Sequence, residues 1–402
     1  MRMPLLLALA VLLAAPSFAS EQTPELRAVT VAQLKQFLAG HRDDWDKPRA
    51  RKIAALKLTE RLSDADEAKL AKALPGKRSR LALLALADES AFLDPPAAEI
   101  PGLPPPSSAE QTQLIRRTVA YAGEAMRRLP NFFATRTTVW FVGTPGTVSP
   151  ALHKALFDAN LRPPKSDDRM APTGTTRATV FYRNGQEGYM NAAEEREECN
   201  YQIGSNAWGE FGEVLGRVAD AMTHGSVTWS HWERGPNGDV AVFAYEASLT
   251  YRFPAFCPDQ TPVPPVHVHA HGEIAVNPKD GAVMRVTEMW RFTMMPPGAL
   301  KPYPQEQDTA VEYAPQEIGG TTYLCPQKSV SITTYPYRPP TGGGILAFLY
   351  SSGPMDLKNR FNLAAEPIVE NINDITFTDY HLFHATVKIL PGGAGEAAGT
   401  HP

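Results

Sequence analysis

The strongest constraint on the fold is a run of alternating apolar residues between Asp239 and Phe253. Every second residue of this run is apolar or aromatic, namely Ala241, Phe243, Tyr245, Ala247, Leu249, Tyr251 and Phe253. The residues between them become more polar toward Arg252. Because successive side chains of a strand point to opposite faces of a sheet, the pattern predicts one long strand with an apolar face and a polar face.

The same alternation returns between Ala282 and Met295, where Trp290 and Phe292 belong to the apolar set. Turn signals such as Asn184-Gly185 separate about ten strand-like segments, nearly all joined as hairpins. Helical patterns come before and between these segments. The predicted fold class is therefore α+β, with an N-terminal helical region followed by a curved antiparallel β-sheet (a half-barrel) with covering helices.

Shifts in composition predict the domain organisation. Residues 1–19 combine Arg2, a short apolar run and a small-x-small end, which is typical of a cleaved secretory signal. Residues 20–94 carry short amphipathic helical patterns without a cluster of chemically reactive side chains. Residues 95–106 contain six prolines and predict a stiff linker. Residues 107–391 hold a helix and the sheet, and residues 392–402 are expected to be disordered.

The net charge and the hydropathy of the chain disfavour nucleic-acid-binding proteins and membrane-spanning proteins. The formal net charge is −4 and the chain has no basic block, so nothing favours binding to nucleic acid. No run after the predicted signal reaches the roughly 18 apolar residues of a transmembrane helix. The residue directly after the predicted cleavage site is Ser20 and not cysteine, which disfavours a lipid anchor. We therefore expect an exported protein, periplasmic or extracellular, that needs no cofactor.

Cys199, Cys257 and Cys325 allow at most one internal disulfide bond. Cys257 and Cys325 flank the sheet segments and are the favoured pair, although the sequence alone leaves the connectivity open. An exported compartment permits such a bond. The spacing matches no metal-binding motif, so we expect a structural role for the cysteines.

Several short runs carry a resemblance to known proteins. The runs Leu129–Phe133, Val180–Glu187, Trp229–Glu233 and Ile318–Pro326 resemble a family of uncharacterised secreted bacterial proteins. The order of elements from Ser108 onward resembles the LolA-like and MucB-like lipoprotein-carrier fold. In that fold a helix precedes a curved antiparallel sheet whose concave apolar face holds acyl chains under a helical lid. This second resemblance implies a lipid or a lipoprotein as partner.

The candidate ligand-binding residues lie on the predicted apolar face, and they are Phe243, Tyr245, Leu249, Tyr251, Trp290 and Phe292. If helices and side chains fill the space above them, they form an ordinary core. If the sheet curves away, they line an apolar pocket that accepts lipids. The helix predicted at Glu210–His224 could fill or cover that space. The leading hypothesis is a non-enzymatic protein that binds an apolar or acylated ligand.

The segment His267-Val268-His269-Ala270-His271 supports an alternative hypothesis. Its three histidines share one face of a strand, about 7 Å apart, and two of them could chelate zinc or copper. The simpler interpretation is three solvated histidines on the outer face, because the residues between them form the apolar face. A functional metal site would make the protein a metal-dependent envelope enzyme.

The segment Trp229-Ser230-His231-Trp232-Glu233 has a weaker chemical signal. Simple alternation places Trp229, His231 and Glu233 on one face and Trp232 on the other. A His–Glu pair could support acid–base chemistry, but packing of the two tryptophans beside a polar rim is the simpler interpretation. A third hypothesis is a structural envelope protein whose N-terminal helices dock a protein partner.

Overall fold

The structure is a computed structural model that describes residues 26–143, 170–191, 196–197, 209–251, 265–294, 303–336 and 368–383. The predicted signal and the predicted tail lie outside these residues. The helices are α1 Val31–Gly40, α2 Asp46–Ala54, α3 Asp64–Ala73, α4 Lys77–Glu89, α5 Ser108–Arg128 and α6 Glu213–His224. The strands are β1 Arg27–Val29, β2 Leu56–Leu58, β3 Phe132–Gly143, β4 Met170–Arg183, β5 Gln186–Asn191, β6 Arg196–Glu197, β7 Ser226–Gly235, β8 Gly238–Tyr251, β9 Val266–Val276, β10 Val283–Met294, β11 Tyr303–Ile318, β12 Thr321–Pro336 and β13 Ile368–Leu382.

Eleven of the described strands form one antiparallel sheet. Their order is β6-β5-β4-β3-β13-β12-β11-β10-β9-β8-β7, and β1 pairs with β2 separately. The sheet is open, because its end strands β6 and β7 do not pair with each other. The predicted α+β class, with N-terminal helices and a half-barrel of antiparallel strands, is confirmed.

The helices α5 and α6 cover one face of the sheet, which we call the inner face. Their apolar sides join the apolar faces of β8, β9, β10 and β11 in the largest cluster of buried residues. Its members include Leu114, Ala122, Val214, Val218, Phe243, Tyr245, Ile274, Val286 and Val311. The helix predicted at Glu210–His224 is present as α6. It lies over the apolar side of the strand pattern from which the sheet was predicted.

The N-terminal helical region covers the opposite face, which we call the outer face. It has a core of its own, built from β1, β2 and the helices α1 to α4. Residues of α4 and the turn after it then pack on β11, β12, β13 and β3. This contact includes Leu81, Leu84, Ala85, Phe92, Phe141, Ala310, Val330, Ile332 and Ile372. The helical region is therefore docked on the sheet of its own chain.

The apolar side of the strands changes face across the sheet. In β8 the buried aromatic residues Phe243 and Tyr245 point to the inner face. In β12 the apolar residues Val330 and Ile332 point to the outer face, under α4. Their neighbours Ser329, Ser331 and Thr333 are buried on the inner face instead. The inner face is therefore apolar at β8 to β10 and polar at β12.

Cys325 corrects the expectation of a disulfide bond. It is a free thiol, buried in a cluster with Phe132, Tyr182 and Ile375. Burial raises the pKa of its thiol to about 12, so it stays protonated. The favoured Cys257–Cys325 pairing is wrong in this structure, and Cys257 itself lies outside the described residues.

Gly272 allows a close approach between β9 and β10. A Cβ atom at this position would overlap the carbonyl oxygen of Thr287 on the backbone of β10. We expect Gly272→Ala to lower the free energy of unfolding by about 1–3 kcal/mol, because the two strands must move apart. Urea denaturation measures this loss.

The control for this prediction is Gly174→Ala in β4. A Cβ atom at Gly174 would meet no other atom within 4 Å, so this variant should keep the wild-type midpoint. Equal midpoints for Gly272→Ala and Gly174→Ala would contradict the prediction.

Candidate functional site

A bulge in β7 decides which residues of the Trp229–Glu233 segment share a face. The register with β8 shifts between Trp229 and His231, so Ser230 is the extra residue. The rings of Trp229 and Trp232 meet edge to face with centroids 5.0 Å apart, on the inner face. His231 and Glu233 point to the outer face. The prediction that Trp229 shares a face with His231 and Glu233, opposite Trp232, is wrong because alternation does not hold across the bulge.

Glu233 lies between two arginines, and we call Arg61, Glu233 and Arg285 the arginine cluster. The two terminal nitrogens of Arg285 each donate to one carboxylate oxygen of Glu233 at 2.9 Å. Arg61, from the helical region, also donates to Glu233. Burial acts to raise the pKa of Glu233, but its contacts with His231, Arg285 and Arg61 hold the pKa well below its ordinary value. All three side chains are buried, so this ionised cluster joins the helical region to the sheet.

His231 belongs to a hydrogen-bond chain at the edge of the arginine cluster. The Ser230 hydroxyl donates to Glu273 at 3.0 Å and lies 2.9 Å from Nδ1 of His231. Nε2 of His231 is 3.7 Å from Glu233, too far for a hydrogen bond. A serine nucleophile has to give its proton to the imidazole, whereas this hydroxyl gives it to a carboxylate. The geometry favours a structural role for the His–Glu pair over acid–base chemistry.

A second group of charges surrounds Lys328. We call it the carboxyl cluster, and its members are Lys328, Asp64, Asp88, Glu312 and Asp374. The Nζ atom of Lys328 lies 2.8 Å from Asp64, 3.4 Å from Asp374 and 3.6 Å from Asp88. Glu312 is the neighbour of Lys328 across the β11–β12 pair. Asp64 and Asp88 come from α3 and α4, whereas the other three residues belong to the sheet. The carboxyl cluster therefore also spans the contact between the helical region and the outer face.

The pKa values of four members of the carboxyl cluster differ from their ordinary values. Burial raises the pKa of Glu312 to about 7, and the nearby Asp64 adds to this shift. Burial and the charge of Asp374 raise the pKa of Asp88 well above its ordinary value. The pKa of Asp374 is raised as well, chiefly by burial. Lys328 stays charged, because its carboxylate neighbours raise its pKa more than burial lowers it.

The docked helical region and the sheet form the walls of a partly open cavity of about 490 Å³ beside the arginine cluster. Arg61 and Phe92 line it from the helical region. From the sheet it is lined by polar residues that include Thr228, His271 and Glu273. The sequence suggested none of this, because charges on the polar side of a strand pattern are ordinarily solvated.

Two of the candidate ligand-binding residues are parts of the packed core. Phe243 and Tyr245 are 0% and 3% exposed beneath α5 and α6. The Tyr245 hydroxyl donates to the carbonyl oxygen of Thr287 at 3.2 Å. The side chain of Tyr251 lies outside the described residues. For Phe243 and Tyr245, the structure supports the ordinary-core interpretation.

The other three candidates form a separate apolar cluster at the far ends of β8, β9 and β10, which we call the strand-end cluster. It joins Leu249, Val266, Val268, Ala270, Trp290 and Phe292, and among the described residues no apolar side chain of α5 or α6 belongs to it. A cavity of about 600 Å³ borders it, lined by Leu249, Val266, Val268 and Phe292 together with polar residues. The structure thus separates the candidates into a filled core and a cluster beside a cavity.

Arg217 connects α6 to the strand-end cluster. Its guanidinium group forms an ion pair with Glu288 of β10 at 2.8 Å. The same group lies 5.0 Å from the centre of the Trp290 ring, which is within the range of a cation–π interaction. Because the ion pair is largely buried, it holds the position of α6 on the inner face.

The three histidines of β9 lie on the outer face, as the alternation predicted. The rings of His269 and His271 have centroids 6.3 Å apart, and His267 lies 3.1 Å from the Thr250 hydroxyl. Across the described parts of the chain, no group of three His, Cys, Asp or Glu side chains is arranged to hold a metal ion. Metal binding by His267, His269 and His271 stays a prediction.

No family model, curated protein or solved structure matches this chain. The resemblances to secreted bacterial proteins and to the lipoprotein-carrier fold therefore stay predictions. Among the described helices, none is both long and apolar enough to cross a membrane. The function has to be argued from the site itself.

Proposed function

We propose that the protein is an exported binding protein that holds an apolar or acylated ligand at the strand-end cluster. The main support is the cavity of about 600 Å³ that borders Leu249, Val268 and Phe292. Its volume falls within the range of about 300–1,000 Å³ that is usual for small-molecule sites. A lipid, or the acyl chain of a lipoprotein, would remove apolar surface from water there, and this burial supplies the affinity.

The polar lining of the cavity suits the polar end of such a ligand. Ser248, Thr250 and His267 also line the cavity, from the outer face of the same strand ends, and offer hydrogen-bonding groups there. Arg291 also lines the cavity, but Asp308 at 2.7 Å and Glu306 at 3.1 Å balance its charge. The lining therefore orients an amphiphile through hydrogen bonds and has no unbalanced cation to select an anionic headgroup.

The helix α6 controls access from the side of the packed core. Moving α6 away would break the Arg217–Glu288 pair and uncover Trp290 beside the strand-end cluster. The apolar face beneath α6 is continuous with that cluster, because Leu249 packs against both groups of residues. An acyl chain longer than the cavity would extend along this face.

Native mass spectrometry of the protein exported in a bacterial host tests the proposal. We expect an added mass that organic extraction removes and that is identified as lipid. A fluorescent fatty acid should then bind the delipidated protein saturably. Leu249→Gln should weaken this binding by about tenfold or more, because a half-buried leucine that the ligand covers completely contributes about 1.5–3 kcal/mol.

Leu81→Gln is the matched control, because Leu81 is a half-buried leucine of α4 on the outer face. It should leave fatty-acid binding unchanged. A bare polypeptide mass with no saturable binding would overturn the proposal in favour of a structural role. Stoichiometric metal in place of lipid would favour the metal-dependent enzyme and make His267, His269 and His271 its ligands.

A further inference from the structure

The contact between the helical region and the outer face brings together an excess of negative charge. Three carboxyl groups lie within 4 Å of Lys328, and its cross-strand neighbour Glu312 is a fourth. Lys328 is 13% exposed, so little water reaches this cation. The nearest other cations, Arg61 and Arg285, are bound to Glu233. If all four carboxyl groups were ionised, only Lys328 and the one surplus charge of the arginine cluster, where Arg285 faces Glu312, would balance them.

Asp88 is the least solvated carboxyl group of the carboxyl cluster. Its side chain is 0% exposed, and neither carboxyl oxygen has a hydrogen-bond partner among the described residues. Burying an ionised carboxylate without donors is very unfavourable, so such a group takes up a proton. Its nearest charged partners are Lys328 at 3.6 Å and, beyond it, Asp374. A proton shared among these carboxyl groups would reduce the repulsion.

We propose that bound protons hold the helical region on the outer face, so that docking is tight at mildly acidic pH and weakens as the pH rises past neutrality. The groups on the helical side are Arg61, Asp64, Glu67 and Asp88, and those on the sheet are Glu233, Arg285, Glu312, Lys328 and Asp374. Separation of the two surfaces would let every carboxyl group ionise in water. It would also open the cavity of about 490 Å³ beside the arginine cluster.

The direction of the effect follows from the carboxyl groups. The pKa values of four of them are raised in the docked state, with burial as the main cause, namely those of Glu67, Asp88, Glu312 and Asp374. Docking is therefore favoured below the ordinary pKa and loses this contribution as the pH rises through the raised pKa. Glu312 has a pKa of about 7 when docked against an ordinary 4.5. For this residue alone, raising the pH from 5.5 to 8.5 weakens docking by about thirtyfold.

Labelling of a buried cysteine in the full exported protein measures this opening. Ala85 is buried in the contact between α4 and the sheet, so Ala85→Cys reacts with a thiol reagent when the surfaces separate. Ala122→Cys, in the core beneath α5, reports opening of the inner face. Peptide mass spectrometry distinguishes these cysteines from the native ones. After correction for thiolate content, we expect Ala85→Cys to react at least about thirtyfold faster at pH 8.5 than at pH 5.5, with Ala122→Cys nearly unchanged.

Glu312→Gln in the Ala85→Cys background should reduce this pH dependence by about thirtyfold, because the amide does not ionise. Glu317→Gln is the matched control, since Glu317 is exposed on the same strand. It should keep the full response. The proposal is overturned by a labelling rate that is independent of pH, by an unchanged response in Glu312→Gln, or by parallel acceleration at Ala85→Cys and Ala122→Cys.

Discussion

Replacing Glu233 by alanine is expected to lower the free energy of unfolding by about 3–5 kcal/mol, because two buried arginines lose their counter-charge. Arg61 and Arg285 both donate to this carboxylate, and neither is reached freely by water. Without Glu233 the two guanidinium groups repel each other across the contact between the helical region and β10. Urea denaturation at neutral pH measures the loss. Faster proteolysis of the helical region should accompany it.

Glu246→Ala is the matched control for Glu233→Ala. Glu246 is an exposed carboxylate on the outer face of β8, and its removal should change stability by no more than about 0.5 kcal/mol. Replacing Arg61, Glu233 and Arg285 together by apolar residues of similar volume should recover much of the loss, because no unpaired charge remains. A loss below about 1 kcal/mol for Glu233→Ala would mean that water solvates the arginines.

Replacing Lys328 by methionine is expected to cost about 3–5 kcal/mol at pH 8, because Asp64, Asp88 and Asp374 lose their nearest cation. Methionine keeps most of the apolar stem, so packing changes little. The loss should be much smaller at pH 5. There Asp88 and Asp374 take up protons, since their pKa values are raised. Thermal or urea unfolding of wild type and Lys328→Met measures the loss of stability at each of the two pH values.

Lys69→Met serves as the control for Lys328→Met. Lys69 is 75% exposed and forms a surface ion pair with Asp66 at 3.4 Å. Such pairs contribute less than about 1 kcal/mol, so this variant should remain close to wild type at both pH values. An equal loss at pH 5 and pH 8 for Lys328→Met would show that the carboxyl cluster takes up no protons. It would also weaken the proposal of proton-dependent docking.

Local alternation was sufficient to predict the class of the fold. The pattern at Phe243 and Tyr245 identified β8, and the amphipathic pattern ending at His224 identified α6, because both depend on residues a few positions apart. The bulge at Ser230 could not be predicted, since one added residue leaves no clear mark in the alternation. Its effect was to reverse the predicted face of Trp229.

The buried charges could not be predicted for a different reason. Glu233, Arg285, Glu312 and Lys328 occupy the polar side of their strands, which a sequence pattern assigns to solvent. The helical region covers that side, and its position depends on contacts between residues far apart in the chain, such as Arg61 and Glu233. The separation of Phe243 from Trp290 and Phe292 into two environments likewise depends on where α5 and α6 end over the sheet.

The position of β13 has a consequence for how the chain folds. This strand, at Ile368–Leu382, lies between β3 and β12 and pairs with both. The strand β3, at Phe132–Gly143, pairs with β4 nearby in the chain, but it meets its second partner β13 only after more than two hundred intervening residues are available. Such non-local pairing has a high loop-closure cost and slows folding. Until the C-terminal part of the chain arrives, the sheet exists as two separate pieces with open edges, β3 on one and β12 on the other.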